Sequence, residues 1–191
     1  MIGKGCNLDE YHRAWVIIWG MEASPKVRHF FWRFCSNILP TKALLKHRHL
    51  LEDASCPWCG NEEETSNHAI FDCIRVKDLW EESGCSSLIC DSRGSACDMV
   101  ERWRSQDAKK MQTAAFLAWL IWNERNNYVF SGNTTPHNVL MRRLRRLVED
   151  YGAYAKKIYG IARPAAKHSP SKWLPPSNSV IKLNADASLV D

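Results

Sequence analysis

Cys56-Pro57-Trp58-Cys59-Gly60, followed by His68 and then Cys73, sets a C-x2-C-x8-H-x4-C spacing, and the reading of this stretch decides the rest. Zinc takes four thiolate or imidazole ligands in a tetrahedron, with Zn–S about 2.3 Å and Zn–N about 2.0 Å. A C-x-x-C turn delivers two thiolates to one ion, and Gly60 relieves the tight backbone behind it. His68 and Cys73 stand five apart, about 140° around an ideal helix, so they cannot share one face of an unbroken helix. The chain must therefore bend near Phe71-Asp72, with helix from Ile74 through Leu79 and Trp80. On this reading Cys56, Cys59, His68 and Cys73 hold one Zn2+ ion. Four protein ligands leave no open coordination position, which makes the ion structural rather than catalytic. The competing reading has Cys56 and Cys59 as incidental buried thiols and His68 as a surface residue. A lone C-x-x-C would merit that reading; the full pattern argues against it. A thioredoxin-like redox role needs a βαβ context, and none is visible. Cys85, Cys90 and Cys97 have no nearby histidines and read as unligated thiols, as do Cys6 and Cys35.

Outward from this stretch the chain reads as helix. Trp15–Trp19 is a short apolar block closed by Gly20. Ser24-Pro25 suits an N-cap and first helical position. Val27, Phe30, Phe31, Phe34 and Ile38 then recur on one face of an amphipathic helix, which Pro40 is expected to stop. Thr41 can cap a second short helix through Leu45 and His49. Beyond the cysteines, 85–94 is turn-rich. A long helix is expected from Ala108 to Phe130, with Phe116, Trp119, Leu120, Asn123 and Asn127 near one stripe and Ser131-Gly132-Asn133 as its end. Thr135-Pro136 starts another toward Tyr159, with an apolar stripe of Leu140, Leu144, Leu147 and Tyr151. Residues 161–179 hold four prolines and four serines and read as a semi-rigid linker. Val180–Asp186 alternates in part and reads as one strand. The expected fold is mainly α: a small helical zinc domain at 10–85, a helical extension at 86–160, the linker, and a single strand within 180–191.

The 191 residues carry a formal charge of +5, with 45% hydrophobic and 25% charged residues, which fits a globular chain and excludes wholesale disorder. The longest apolar run, Ala114–Trp122, is about half of the ~20 residues that a membrane span needs. The N-terminus lacks the apolar run of a secretory signal, so a nuclear or cytoplasmic protein is expected, with no membrane partner. Charge is uneven. Lys26, Arg28, Arg33, Lys42, Lys46 and Arg48 form an acid-free basic segment. Residues 135–172 hold nine cations, among them Arg142, Arg143, Arg145, Arg146, Lys156 and Lys157, against only Glu149 and Asp150. Two such segments fit binding to a polyanion, and they equally fit solvated helix faces.

Several ordered motifs carry a family resemblance: Pro25-Lys26-Val27-Arg28-His29-Phe30-Phe31-Trp32-Arg33, Leu39-Pro40-Thr41, Cys56-Pro57-Trp58-Cys59, Glu63-Glu64-Thr65-Ser66-Asn67-His68, Cys73 and Trp80. In that order they resemble the zinc-binding domain downstream of reverse transcriptase in plant non-LTR (LINE-type) retrotransposon proteins. Trp122–Phe130 is similar to the helical spacer that follows it there. Trp173-Leu174-Pro175-Pro176 and Ile181–Ser188 resemble the entry into an appended ribonuclease H type-1 domain. That family implies a hydrolase whose Mg2+ ions, held by several carboxylates, cleave the RNA strand of RNA–DNA hybrids. Asp186 matches the first of those carboxylates. The later ones would lie beyond Asp191, and one aspartate cannot clamp two ions about 3.5–4 Å apart, so this chain is expected to be no enzyme. With no polymerase core ahead of residue 1, it reads as a fragment of such an element or a short product derived from one.

The functional expectation is a zinc-stabilised module that binds RNA, DNA or their hybrid with low sequence specificity. Lys26, Arg28, Arg33, Arg142, Arg143, Arg145 and Arg146 would meet phosphates. Trp58 would stack on an unpaired base or, alternatively, pack into the core. The other readings are part of a hybrid-cleaving ribonuclease in an intact parent, or a structural or protein-interaction remnant without activity.

Overall fold

The computed structural model describes residues 8–89 and 94–159, with backbone alone in the outermost turns, 8–12 and 155–159. Cys6, Cys90, the linker, the expected strand and Asp186 lie outside the described residues, as do the side chains of Lys156 and Lys157. Among the described residues there are seven α-helices and no strand. They are α1 (Leu8–Gly20), α2 (Pro25–Cys35), α3 (Lys42–His47), α4 (Ile74–Glu82), α5 (Ala96–Trp103), α6 (Ala108–Ser131) and α7 (His137–Tyr159). None is long and apolar enough to cross a membrane.

Local chemistry explains most of the boundaries. Ser24 sits extended before Pro25, whose fixed φ and missing N–H suit the first helical position. α2 then buries Val27, Phe30, Phe31 and Phe34, as its periodicity requires. It ends earlier than Pro40. Asn37 adopts φ +52°, its N–H reaches Phe34 O, and Ile38 N–H reaches back to Arg33 O at 3.1 Å. This is a Schellman closure with asparagine in the left-handed seat that glycine usually fills. α3 begins with the Thr41 hydroxyl accepting from Leu44 N–H and ends the same way, with His49 left-handed and Leu50 N–H bonded to Leu45 O. α5 was not among the expected helices. Its start is a reciprocal capping box between Ser95 and Asp98.

α6 departs most from expectation. Beyond Phe116 and Leu120, it buries Ala114, Ala115, Leu117, Ala118, Ile121, Trp122, Glu124 and Arg125. Trp119, Asn123 and Asn127 are only partly covered. A helix buried nearly all round has no stripe to detect. It packs on α7, α2, α4 and the turn before α4. Asp107 caps its start, and Gly132, at φ +67°, closes its end. α7 lays Leu140, Leu144, Leu147 and Tyr151 against this central helix, with the Tyr151 and Phe116 rings 5.8 Å apart.

The core is one continuous cluster with side chains from both sides of position 85. An aromatic relay threads it: Trp103, Phe31, Phe34, Phe71 and Trp80 meet in sequence at 5.3–6.3 Å between ring centroids, mostly edge-on. Such pairs add about 0.5–1.5 kcal/mol each beyond the area that they bury. The two indoles are also satisfied, Trp80 N–H donating to Ile70 O and Trp103 N–H to Leu88 O. Phe71 of this relay lies in the turn between His68 and Cys73, so the aromatic core anchors the segment that carries those two residues.

Candidate metal centre

The first pair of ligands comes from a hairpin-like turn. Cys56 N–H donates to Glu62 O at 2.7 Å, Glu64 N–H to Ala54 O at 2.8 Å, and Ser55 and Glu63 form an antiparallel bridge. The turn between them closes with Gly60 N–H bonded to Cys56 O, and Gly60 takes φ +71°, which is costly for residues with a Cβ. Cys56 and Cys59 thus stand on one short loop, both turned to the same point.

The second pair comes from a wide turn. Residues His68–Asp72 form a single π-helical turn, and Cys73 N–H donates to His68 O at 2.9 Å, an i to i+5 bond. Cys73 itself is extended, with φ −59° and ψ 134°, and α4 starts at the next residue. The widened turn followed by a break brings two residues five apart onto one point, which a regular α-helix forbids. The bend expected between His68 and Cys73 is therefore present, completed at Cys73.

The four ligand atoms lie within 4.8 Å of one another. Cys56 Sγ and Cys73 Sγ are 3.9 Å apart, and Cys59 Sγ is 3.4 Å from His68 Nε2. A tetrahedral zinc with ordinary bond lengths places two sulfurs about 3.8 Å apart and a sulfur and a nitrogen about 3.5 Å apart. These two separations match those edges, and the Cys56 and Cys73 sulfurs are far beyond the ~2.05 Å of a disulfide. The donor set also fits: three thiols and one imidazole are the chemistry of structural zinc. Cys56, His68 and Cys73 are buried and Cys59 is partly covered.

Hydrogen bonds around the ligands fix their aim. The Glu62 carboxylate lies 3.1 Å from His68 Nδ1. A carboxylate there calls for a proton on Nδ1, which leaves Nε2 as the lone-pair nitrogen facing the thiols. The Thr65 hydroxyl accepts from His68 N–H at 3.0 Å and anchors the start of the wide turn. In the metal-free pair, a hydrogen bond from the Cys73 thiol pulls Cys56 down to about 4, so Cys56 is the thiolate. The same bond, together with burial, pushes Cys73 up, so Cys73 keeps its proton.

A second set of contacts ties this loop to the rest of the molecule. Glu64, wholly buried, receives Arg125 of α6 in a two-pronged pairing, Nε to Oε1 at 2.7 Å and Nη2 to Oε2. Glu64 Oε2 also accepts from Lys42 N–H at the start of α3. The guanidinium sits 5.1 Å from the Trp122 ring centroid. Neither Glu62 nor the Glu64–Arg125 pair stood out as functional in the sequence. Glu62 belongs to an undistinguished acidic run, and Glu64 and Arg125 are 61 residues apart.

The remaining candidate residues fall into three places. Lys26 and Arg33 are exposed on α2, whereas Arg28 is half-buried with Nη2 3.4 Å from the Tyr151 hydroxyl of α7. Arg142, Arg143, Arg145 and Arg146 are exposed on α7, but three are engaged: Arg143 with Glu124, Arg145 with Glu82 and Arg146 with Asp150. Trp58 is half-covered, packed against the core and set in the wall of a cleft. Among the described residues, the four zinc ligands form the one metal-type cluster. Cys85 is buried with Sγ near the carbonyls of Ser83 and Lys110, and Cys35 and Cys97 are buried thiols.

Residues 6–80 match the family described as zinc-binding in reverse transcriptase. The match spans all four ligands, so over this stretch the chain is similar to that family, and the four ligands have a donor set that fits one structural zinc. No curated protein and no solved structure matches the chain.

Proposed function

We propose that this zinc module binds nucleic acid, RNA or DNA, through its phosphates and with little sequence preference, and that it derives from a retrotransposon protein of the plant LINE type. The observation that carries the binding proposal is the set of exposed cations on α2, on α3 and just after it. Lys26, Arg33, Lys46 and Arg48 are exposed there, no acidic residue occurs from 26 to 48, and none of the four has an acidic partner among the described residues. The His29 and Trp32 rings stack at 5.2 Å on the same helix, the combination of cations and flat rings that single strands use. The ordered motifs from Pro25 to Trp80 support the retrotransposon origin.

In this proposal the zinc is a folding element. Its four protein ligands complete a tetrahedron, so it holds the 54–73 loop and supplies no open site for a reacting water. The module binds without cleaving. The ribonuclease H likeness around Asp186 belongs to a different element of the parent, where Mg2+ would serve hydrolysis.

The test is a salt titration with zinc-loaded protein and fluorescent single-stranded RNA, single-stranded DNA and hybrid. Affinity should fall with log–log slopes of about −0.7 to −0.9 per phosphate neutralised. Absence of micromolar binding to all three at low salt would overturn the proposal and leave a structural or protein-docking module.

A further inference from the structure

Beside the zinc loop the fold leaves a cleft of about 310 Å³ between the zinc module and the α6–α7 pair. Trp58, from within the zinc turn, and Ile74, the residue after the ligand Cys73, give it apolar wall, with Leu79, Ile121 and Leu140 beneath. Ile74 is 66% exposed, unusual for an isoleucine on a helix that otherwise packs well. Glu124 of α6 also lines the cleft, and it is 9% exposed. One of its carboxylate oxygens accepts from Arg143 at 3.3 Å; the other, Oε2, is buried without any donor. A buried carboxylate oxygen left without a donor is costly, and it is met at sites where a ligand completes the set. The Arg143 bond is long and its guanidinium half-exposed, so the carboxylate can turn to a donor entering the cleft. At the rim, exposed Arg75 has no acidic partner among the described residues.

We infer that this cleft takes one unpaired nucleobase that carries an exocyclic amino group, cytosine being the simplest case. The inference rests on the nucleic-acid reading above and deepens it. The ring would lie against Trp58 and Ile74, its amine would donate to Glu124, and Arg75 would meet the adjoining phosphate. Carboxylates read cytosine by accepting from its N4 amine. Uracil, of the same shape, places a carbonyl oxygen there and is repelled. A lysine side chain of a basic peptide would also satisfy Glu124. Asp78 also lines the cleft, so a cationic side chain competes for it; Arg75 beside it offers the phosphate contact that a peptide lacks.

Zinc-loaded full chain is titrated with fluorescent oligo(dC) and oligo(dU) of equal length, and with a lysine-rich peptide. The inference expects oligo(dC) to bind at least about fivefold more tightly, the scale of one base-edge contact. Trp58→Leu should weaken oligo(dC) more than oligo(dU), because only the base held in the cleft stacks on that ring. Glu124→Gln is isosteric. With its carbonyl held by Arg143 it offers an amide donor to the cleft, so preference should move toward oligo(dU), with zinc content and helical signal unchanged. Salt-dependent binding with no dC–dU difference would overturn the inference and leave the nucleic-acid reading intact. No binding to either oligonucleotide would remove both, unless CMP alone, followed by saturation-transfer NMR, still prefers the cleft over UMP in a Glu124-dependent way; that result keeps the base site and removes only the polymer reading. Preference for the lysine-rich peptide over both oligonucleotides would overturn the base site in favour of a peptide site.

Discussion

His68 is positioned by three contacts of different kinds: its N–H on the Thr65 hydroxyl, its carbonyl on Cys73 N–H, and its Nδ1 facing the Glu62 carboxylate. Only the ring nitrogen left over, Nε2, faces the thiols. The ligands themselves were legible because spacing alone constrains them; Glu62 was not, since any of three consecutive acids could serve and only the backbone pairing of Cys56 with Glu62 selects it. Two outcomes follow at this scale. Cys56→Ser combined with Cys59→Ser should take purified protein from about one zinc per chain to none, read by metal analysis. Glu62→Gln should keep the zinc but weaken it by about 10–100-fold, the usual size of an outer-shell effect, read by chelator competition; wild-type affinity in that variant would show the carboxylate to be ornamental. Protons provide a separate check. The metal-free pair holds Cys56 as thiolate and Cys73 as thiol, so loading zinc at neutral pH must expel the Cys73 proton. Zinc affinity should therefore rise with pH and fall as acid returns that proton, and calorimetry in buffers of different ionisation heat should register proton release on loading. Loading without proton uptake by the buffer would contradict a proton held between the two thiols.

Among the elements, α6 shows why local sequence ran out. Helices α2, α3, α6 and α7 were announced by caps, prolines and periodicity. α5 carries its own start signal in Ser95 and Asp98, but eight residues after a turn-rich stretch are too short a pattern to set it apart. The early end of α2 needed an asparagine in a left-handed seat, a weaker signal than the proline three residues later. The contacts that make α6 central could not be read at all, because they join residues far apart. Glu64 and Arg125 are the clearest case. Both are buried, and each is satisfied mainly by the other. Breaking such a pair from one side leaves a charge without its partner in a dry place, at a cost of about 3–5 kcal/mol. Glu64→Leu should therefore lower the urea midpoint sharply, whereas Glu64→Leu with Arg125→Met should recover much of the loss. A single variant as stable as wild type would mean that the zinc loop does not depend on α6. The same pair predicts that chelating the zinc is felt on α6: amide exchange should quicken in 54–82 and also around Trp122 and Arg125, more than in α5.

For the molecule as a whole, charge is sorted by whether the fold consumes it. In the sequence the α7 arginines and the α2 cations are alike basic segments, and composition cannot tell them apart. In the structure Arg143, Arg145 and Arg146 meet Glu124, Glu82 and Asp150, while Lys26 and Arg33 meet nothing acidic among the described residues. Free cations are available to phosphates; paired ones must first give up a partner. Reversing each set should therefore have opposite consequences. Lys26→Glu with Arg33→Glu should leave zinc content and melting temperature near wild type, since both side chains are solvent-facing. It should weaken single-stranded RNA binding by about tenfold or more at low salt and flatten the log–log salt slope by about two phosphate contacts. Arg143→Glu with Arg145→Glu should lower the melting temperature, because Glu124 and Glu82 then face like charges, with less effect on the salt slope. Exposed pairs contribute only about 0–1 kcal/mol each, so the thermal shift should be modest and come chiefly from the buried Glu124. If instead the α7 reversal abolishes binding and the α2 reversal is silent, the nucleic-acid face belongs on α7, and the ion pairs there yield to phosphate when it arrives.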